Sequence, residues 1–205
     1  MAIGPYPEAL GSTLVPPVKE RIWCRLANFL CGCAASDESV ATRACIETAP
    51  ESIWGEMAFY EEVPGKPPML LASLLSPLGT EGDKSQVGGL VICRYQQGNL
   101  VKRITALEKP YFIGFDVIKQ RLGIERCAIA RSGSYRIRRR GAGSEVILTT
   151  NYQALLYPRW LWRPLEKLAL HELHSHILNG MRRIAVETPK LGTATPGCIY
   201  REEET

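Results

Sequence analysis

The three histidines of the chain lie close together, in His171-Glu-Leu-His174-Ser-His176. A His-Glu-x-x-His spacing on a helix would present two zinc ligands one turn apart, but Ser175 stands where the second ligand would be. At 100° per residue, His171 and His174 fall on the side of the helix opposite its apolar residues, so we expect both to be solvated. A metal site that combines them with the pair Cys31–Cys33 is an alternative. We predict no metal and no cofactor.

His176 falls on the apolar side of the same helix, next to the space left by Gly180. Glu172, one turn earlier, could accept a hydrogen bond from the imidazole. This placement predicts a histidine that contacts a ligand or transfers a proton, and the alternative is a buried histidine bonded to a backbone carbonyl. Three residues that share this side are further predicted ligand contacts: Trp162, Leu173 and Ile177.

Arg131 shares the parity of the apolar residues Ile129 and Tyr135 in a predicted strand over 127–139. An arginine that points into an apolar interior costs several kcal/mol unless it is paired, so it usually meets a carboxylate or an anionic ligand. We therefore predict that Arg131 binds a ligand. The alternative is a bulge near Ser132 that turns the side chain outward.

Tyr135 and Tyr152 supply the hydroxyl groups expected near an interior space. Together with His176 they are candidates for proton transfer, and both could equally be core aromatics. The seven cysteines include none beside a histidine, and the chain has no P-loop, GxGxxG or GxSxG motif. A nucleotide-dependent enzyme or a serine hydrolase is therefore not expected.

The elements that position these residues are predicted from periodicity and turn residues. A strand over 39–47 is followed by a helix that starts at Thr48, and 79–84 is a polar loop. Five strands follow, over 88–94, 99–107, 111–118, 127–139 and 145–152, and a long helix covers about 158–186. This order predicts an α+β fold in which the last helix covers one face of an antiparallel sheet. A curved sheet on a straight helix leaves a space where a small apolar ligand can bind.

The central strands resemble those of the START, birch-pollen-allergen and polyketide-cyclase (SRPBCC) superfamily. The similarity is carried by Gly98-Asn-Leu-Val-Lys-Arg-Ile-Thr-Ala-Leu-Glu-Lys-Pro110-Tyr-Phe-Ile-Gly-Phe115, by Gly133-Ser-Tyr135-Arg-Ile-Arg and by Pro158-Arg-Trp160-Leu-Trp162. It implies the helix-grip fold over 37–186, with an internal cavity for hydrophobic ligands. Members bind lipids, sterols or polyketides, and some cyclise or dehydrate them.

Two functions are consistent with this resemblance. The first is binding of a hydrophobic small molecule, such as a lipid or polyketide, in the space between the sheet and the C-terminal helix. The second is an enzyme of the polyketide cyclase or aromatase kind, which would use the cavity histidine, tyrosine and arginine for proton transfer. The residues do not decide between them, so whether the protein is an enzyme stays open.

Composition places these functions in one folded domain. The 205 residues are 45% hydrophobic and 22% charged, with a net charge of +4, which is typical of a globular chain. Residues 1–36 form a predicted arm and amphipathic helix, a possible site of homo-oligomerisation, and 187–205 form a flexible tail. We predict a cytoplasmic protein with reduced thiols, without a transmembrane segment. The arginine cluster at 136–140 lacks interleaved stacking aromatics, so no nucleic-acid partner is expected.

Overall fold

The structure is a computed structural model, which describes residues 35–55, 59, 62–63, 75–187 and 199–201. The chain divides into two units, Met1–Ala34 and Ala35–Thr205, and every described residue lies in the second. The predictions for the N-terminal arm and helix, including the pair Cys31–Cys33, therefore lie outside the described residues.

A single antiparallel sheet dominates the described part of the chain, with its strands in the order β2-β3-β4-β5-β6-β7-β1-β8. Neighbouring strands from β2 to β7 are consecutive in the chain, whereas β1 joins the sheet beside β7. The strands are β1 (Ser36–Ile46), β2 (Pro77–Gly82), β3 (Leu90–Tyr95), β4 (Gly98–Glu108), β5 (Phe112–Arg121), β6 (Ala128–Arg140), β7 (Gly143–Ala154) and β8 (Ile199–Arg201).

Two helices are described, the short α1 (Pro50–Gly55) and the long α2 (Arg159–Glu187). Helix α1 begins with a proline, whose missing N–H costs nothing at a first helical position, and Glu51 follows where the helix dipole favours an acid. Helix α2 packs across the face of the sheet formed by β1 and β7. Neither described helix is both long and apolar enough to cross a membrane.

The predicted α+β architecture is confirmed: a curved antiparallel sheet is covered by a long C-terminal helix, as in the helix-grip fold. Alternation on β1 shows how the sequence dictates it, because Val40, Thr42, Ala44 and Ile46 are buried toward α2 while their neighbours are partly exposed. The main core collects apolar side chains of the strands together with Ile177, Leu178 and Met181 of α2.

One segment differs from its prediction. Residues 79–84 were expected to form a polar loop, but Pro77–Gly82 form β2. This strand lies at the edge of the sheet, where proline, glycine and a lack of apolar alternation are tolerated. Strand β8 lies within residues 187–205, for which the flexible tail stays a prediction, and it pairs with β1 through Thr42 and Arg201. It extends the sheet beyond β1, where backbone groups would otherwise lack a partner strand.

Candidate functional site

Three aromatic rings meet in the main core. Tyr135 of β6 and Phe115 of β5 contribute two of them, and the Phe59 ring lies 5.4 Å from Phe115 and 6.0 Å from Tyr135 between centroids. Phe59 and Phe115 meet edge to face, the arrangement that aromatic quadrupoles favour. Gly133 makes room for this cluster, because a Cβ there would lie 2.5 Å from Cζ of Phe115.

A buried cation, Lys102 of β4, adjoins these rings. Lys102 is only 6% exposed, and its Nζ lies 4.2 Å from the ring centroid of Phe59 and 5.2 Å from that of Phe115. Attraction to the ring faces offsets part of the cost of removing the ammonium from water. The sequence analysis missed Lys102, although its shared parity with Leu100 and Ile104 was a signal that it points inward.

The expectation that His171 and His174 are solvated is wrong. Both are buried against the sheet, where the Thr42 hydroxyl lies 2.8 Å from Nδ1 of His171 and 3.0 Å from Nδ1 of His174. Nε2 of His174 lies 2.8 Å from the Thr150 hydroxyl. Two polar rings can face the sheet because β1 and β7 meet them with threonines. Burial lowers the pKa of His174 to about 3, with a smaller effect from His171, so this ring is neutral at neutral pH.

His176 is buried, as predicted, but it faces a different side of α2 from His174, since two residues turn a helix by about 200°. It shares its side with Gly180, one turn later, and a Cβ on Gly180 would meet Val63 at 2.4 Å. Burial is the main cause that lowers the pKa of His176, and the charge of the nearby Arg183 lowers it further. Its predicted roles in ligand contact and proton transfer stay predictions.

The expectation that Arg131 points into the apolar interior is wrong. The pairing of β6 with β7 shifts register between Ala130 and Ser132, so Arg131 occupies a bulge that breaks the alternation of the strand. Its side chain is exposed, and its guanidinium donates a 2.7 Å hydrogen bond to Oε1 of Gln153. The bulge foreseen as the alternative near Ser132 accounts for this outward orientation.

Tyr152 lies in a smaller apolar cluster with Val40 and Ala154, apart from the main core that holds Tyr135. Its hydroxyl donates a 3.2 Å hydrogen bond to Glu166 of α2. Burial, together with the charge of Glu166, raises the pKa of the Tyr152 hydroxyl. The two predicted tyrosines therefore lie in different environments.

The remaining predicted contacts lie along α2. Ile177 is buried in the main core and Leu173 packs against that core partly buried, so both accompany Tyr135. Trp162 is half-buried, and its indole N–H donates a 2.9 Å hydrogen bond to the carbonyl of Tyr157. The structure thus brings Tyr135, Leu173 and Ile177 into one core and separates Arg131 and Tyr152 from it.

A polar depression of about 570 Å³ opens to solvent beside the first turns of α2. Its wall is organised by Glu38, which accepts hydrogen bonds from Arg159 at 3.2 Å and from Arg163 at 3.0 Å. Arg159 also binds both carboxylate oxygens of Glu166 at 2.8 Å. Residues that line the depression are Asp37, Glu38, Ser39, Arg131, Asn151, Tyr152, Gln153, Arg163 and Lys167.

Acidic, histidine and cysteine side chains form no group of three or more that could hold a metal ion within the described residues. Polar groups of the described residues gather instead at Lys102, in the His171–Thr42–His174 contacts and in the polar depression.

Comparison with known proteins supports the fold. No family model and no curated protein matches the sequence. A point mutant of norcoclaurine synthase from Thalictrum flavum is 10% identical, with a TM-score of 0.52 over 75% of this chain and 97% of that one. The same enzyme with dopamine and hydroxybenzaldehyde is 9% identical, with a TM-score of 0.52 over 79% and 94%. A protein from Mesorhizobium loti is 12% identical, with a TM-score of 0.50 over 75% and 100%. The helix-grip fold implied by the resemblance is confirmed.

Proposed function

We propose that the protein binds a hydrophobic small molecule in the interior between the sheet and α2, with a polar end of the ligand at Lys102. The observation that carries this proposal is the 6% exposed lysine whose ammonium lies over the rings of Phe59 and Phe115. Apolar and aromatic surface would supply affinity, at about 25 cal/mol per Å² buried, while the cation orients a carboxylate, phenolate or carbonyl group. Tyr135, Leu173 and Ile177 are the predicted contacts that share this core.

One further observation supports this assignment. The ligand class agrees with the neighbouring fold, since norcoclaurine synthase has been crystallised with the small aromatic molecules dopamine and hydroxybenzaldehyde. Location in the cytoplasm stays a prediction, and the cysteines of the described residues, Cys45, Cys93 and Cys127, form no disulfide bond. Homo-oligomerisation through the N-terminal helix stays a prediction.

Native mass spectrometry of the freshly purified protein, followed by organic extraction, tests the proposal. We expect an adduct that is released on denaturation. Titration with a fluorescent fatty acid should then give an affinity that Lys102→Met lowers about tenfold through loss of the charge pair, while a neutral aromatic probe is affected less. Lys119→Met, on the exposed part of β5, is the matched control. A clean apo mass and no binding of either probe would overturn the proposal.

The second candidate is an enzyme that transfers protons on a bound polyketide-like substrate. It is favoured by one observation: the buried ring of Tyr135, which carries a hydroxyl group, lies 6.0 Å from the ring of Phe59 between centroids. The Lys102 ammonium lies over that same Phe59 ring. Arg131 is exposed, so it would not take part in the interior chemistry first envisaged for it. If Tyr135→Phe abolishes turnover of an extracted ligand but leaves its affinity intact, the enzyme is favoured. Unchanged chemistry with weakened binding favours the carrier.

A further inference from the structure

The first three turns of α2 carry an exposed apolar ridge, which we define as Trp160, Leu161, Leu165 and Leu168. Trp160 is 78% exposed, and the three leucines are 38–48% exposed. At 100° per residue the four side chains fall within an arc of about 140° on one side of the helix. Contiguous large apolar side chains at the surface typically mark a contact with another molecule or with a membrane.

Cations border this ridge on one side. Lys167 precedes Leu168 and, with Arg163 one turn earlier, lines the polar depression, which Arg131 also lines. Arg163 and Arg131 are exposed at their charged ends and are held in place by hydrogen bonds to Glu38 and Gln153, respectively. The carboxylate of Glu38 is balanced by Arg159 and Arg163. Asp37 is the other acid that lines the depression, so the cations exceed the acids there.

We propose that this side of α2 binds the surface of a bilayer that contains anionic phospholipids. The ridge would enter the boundary between headgroups and acyl chains, with Trp160 at the depth that indole rings favour, while Arg131 and Lys167 pair with lipid phosphates. The observations favour a bilayer over a protein partner because the exposed apolar side chains form a ridge that cations border on one side. A planar and deformable anionic surface can accommodate both together. The proposal stands apart from the interior ligand.

Co-sedimentation of the full chain with lipid vesicles tests this proposal. We expect binding to vesicles of phosphatidylcholine mixed with phosphatidylserine, little binding to phosphatidylcholine alone, and weaker binding in high salt. Lys167→Gln should lower the affinity about fivefold through loss of one cation near the surface. Trp160→Ala should lower it about tenfold through loss of the inserted apolar surface.

Matched variants separate this surface from general attraction to charge. Lys119→Gln and Leu78→Ala remove an exposed cation and an exposed apolar side chain from the sheet, and both should leave vesicle binding unchanged. Equal effects of Lys119→Gln and Lys167→Gln would overturn the proposal, as would the absence of binding to either vesicle. A dimer that Trp160→Ala converts to monomers would also overturn it, by assigning the ridge to contact between copies. Because Trp160, Leu78 and Lys119 are exposed and Lys167 is only partly buried, unchanged thermal unfolding of each variant should accompany the binding data.

Discussion

At the scale of single residues, the interface between α2 and the sheet is held by polar groups as well as by apolar packing. The Thr42 hydroxyl lies within hydrogen-bond distance of Nδ1 of both His171 and His174. A hydroxyl donates one hydrogen bond and can accept others, so it can donate to one ring and accept from the other. Each buried polar atom in this series of hydrogen bonds depends on its neighbour, and the loss of one leaves another without a hydrogen-bond partner.

The His174 ring makes the stability of the protein sensitive to mild acid. In the unfolded chain this ring titrates near 6.5, and in the folded protein burial lowers its pKa to about 3. Between these values the unfolded state binds the proton, so the free energy of unfolding falls as pH falls, by up to about 1.4 kcal/mol per pH unit. The stabilisation is fully present above pH 6.5 and declines below it. Urea unfolding at several pH values between about 5 and 7 measures this slope.

Substitution identifies the histidine responsible. His174→Gln keeps a side chain that can bond to Thr42 and Thr150 but cannot titrate, so its stability should depend less steeply on pH in this range. His176→Gln is the control and should retain the steep dependence contributed by His174. A wild-type protein whose free energy of unfolding is constant between pH 6.5 and about pH 5 would contradict the assignment.

Thr42→Val tests the shared hydroxyl directly, because valine has nearly the same shape. We expect the free energy of unfolding to fall by about 2 kcal/mol, since both imidazoles lose this partner in a buried site. Thr149→Val, on the opposite face of β7 from Thr150, should change it by about 0.5 kcal/mol or less. Equal effects of the two valines in urea unfolding would show that the hydroxyl of Thr42 has no special role.

The sequence predicted the apolar and aromatic residues of the interior more reliably than its ionisable residues. Tyr135 and Ile177 were expected to be buried and are. His174 was expected on a solvated face, because at 100° per residue it falls on the side of the helix opposite the apolar residues. Those partners, Thr42 and Thr150, lie 132 and 24 residues away in the chain, so no local pattern shows them. Lys102 is the opposite case: the sequence analysis missed it, although its strand parity, a local pattern, would have been enough to place it inward.

At the scale of elements, α2 packs on two sides. One side places His171, His174 and Leu178 against the sheet, and the other places Gly180 against Val63. The absence of a side chain at Gly180 is what allows this second contact. Intrinsic propensity disfavours glycine inside a helix, so packing against Val63 is the reason that glycine occupies this position.

Gly180→Ala tests this packing. Alanine is about 1 kcal/mol more favourable than glycine in a helix. Here its Cβ would lie 2.4 Å from Cγ1 of Val63, a stiff β-branched side chain, so we expect net destabilisation of about 2 kcal/mol. In a Val63→Ala background the same change should become neutral or stabilising. Asn179→Ala, one residue earlier, controls for propensity. Stabilisation by Gly180→Ala in the wild-type background would contradict the contact.

The strands show how far alternation predicts a sheet. The predicted central strands and final helix agree with the observed elements within a few residues, because apolar alternation and glycine turns mark them. Arg131 was misplaced because a bulge shifts the parity of β6, and a bulge depends on the register with β7. Strand β2 was missed because its residues, Pro77–Gly82, bury little, so pairing with β3 rather than an apolar pattern forms the strand.

At the scale of the whole molecule, distant parts of the described chain meet where α2 begins. Strand β1, early in the fold, runs beside β7 and presents Glu38 to Arg159 and Arg163 of α2. The same arginine, Arg159, binds Glu166 through two oxygens. Ion pairs with a bidentate arginine and little solvent exposure fix geometry more strongly than surface pairs do. They connect β1 to the first turns of α2, beside the ridge that we propose binds the bilayer.

Arg159→Met is the strongest test of this connection. The side chain of Arg159 is 17% exposed, and those of Glu38 and Glu166 are 9% and 11% exposed. Loss of the guanidinium leaves two poorly solvated carboxylates, so we expect the free energy of unfolding at neutral pH to fall by about 4 kcal/mol. Arg163→Met removes a 53% exposed partner of Glu38 and should cost about 1 kcal/mol or less. Equal losses in urea unfolding for the two variants would contradict a central role for Arg159.

The pH dependence of Arg159→Met gives an independent check. Burial raises the pKa of Glu38, but hydrogen bonds from Arg163 and Arg159 outweigh it and hold the pKa below 4.5. The wild-type carboxylate therefore stabilises the fold above pH 4.5, and this contribution is lost as pH falls through its lowered pKa. Without Arg159 the folded Glu38 carboxyl should take up a proton at higher pH, so the difference in the free energy of unfolding between wild type and variant should narrow in acid. A difference that stays constant below pH 4.5 would show that Arg159 acts through packing alone rather than through charge.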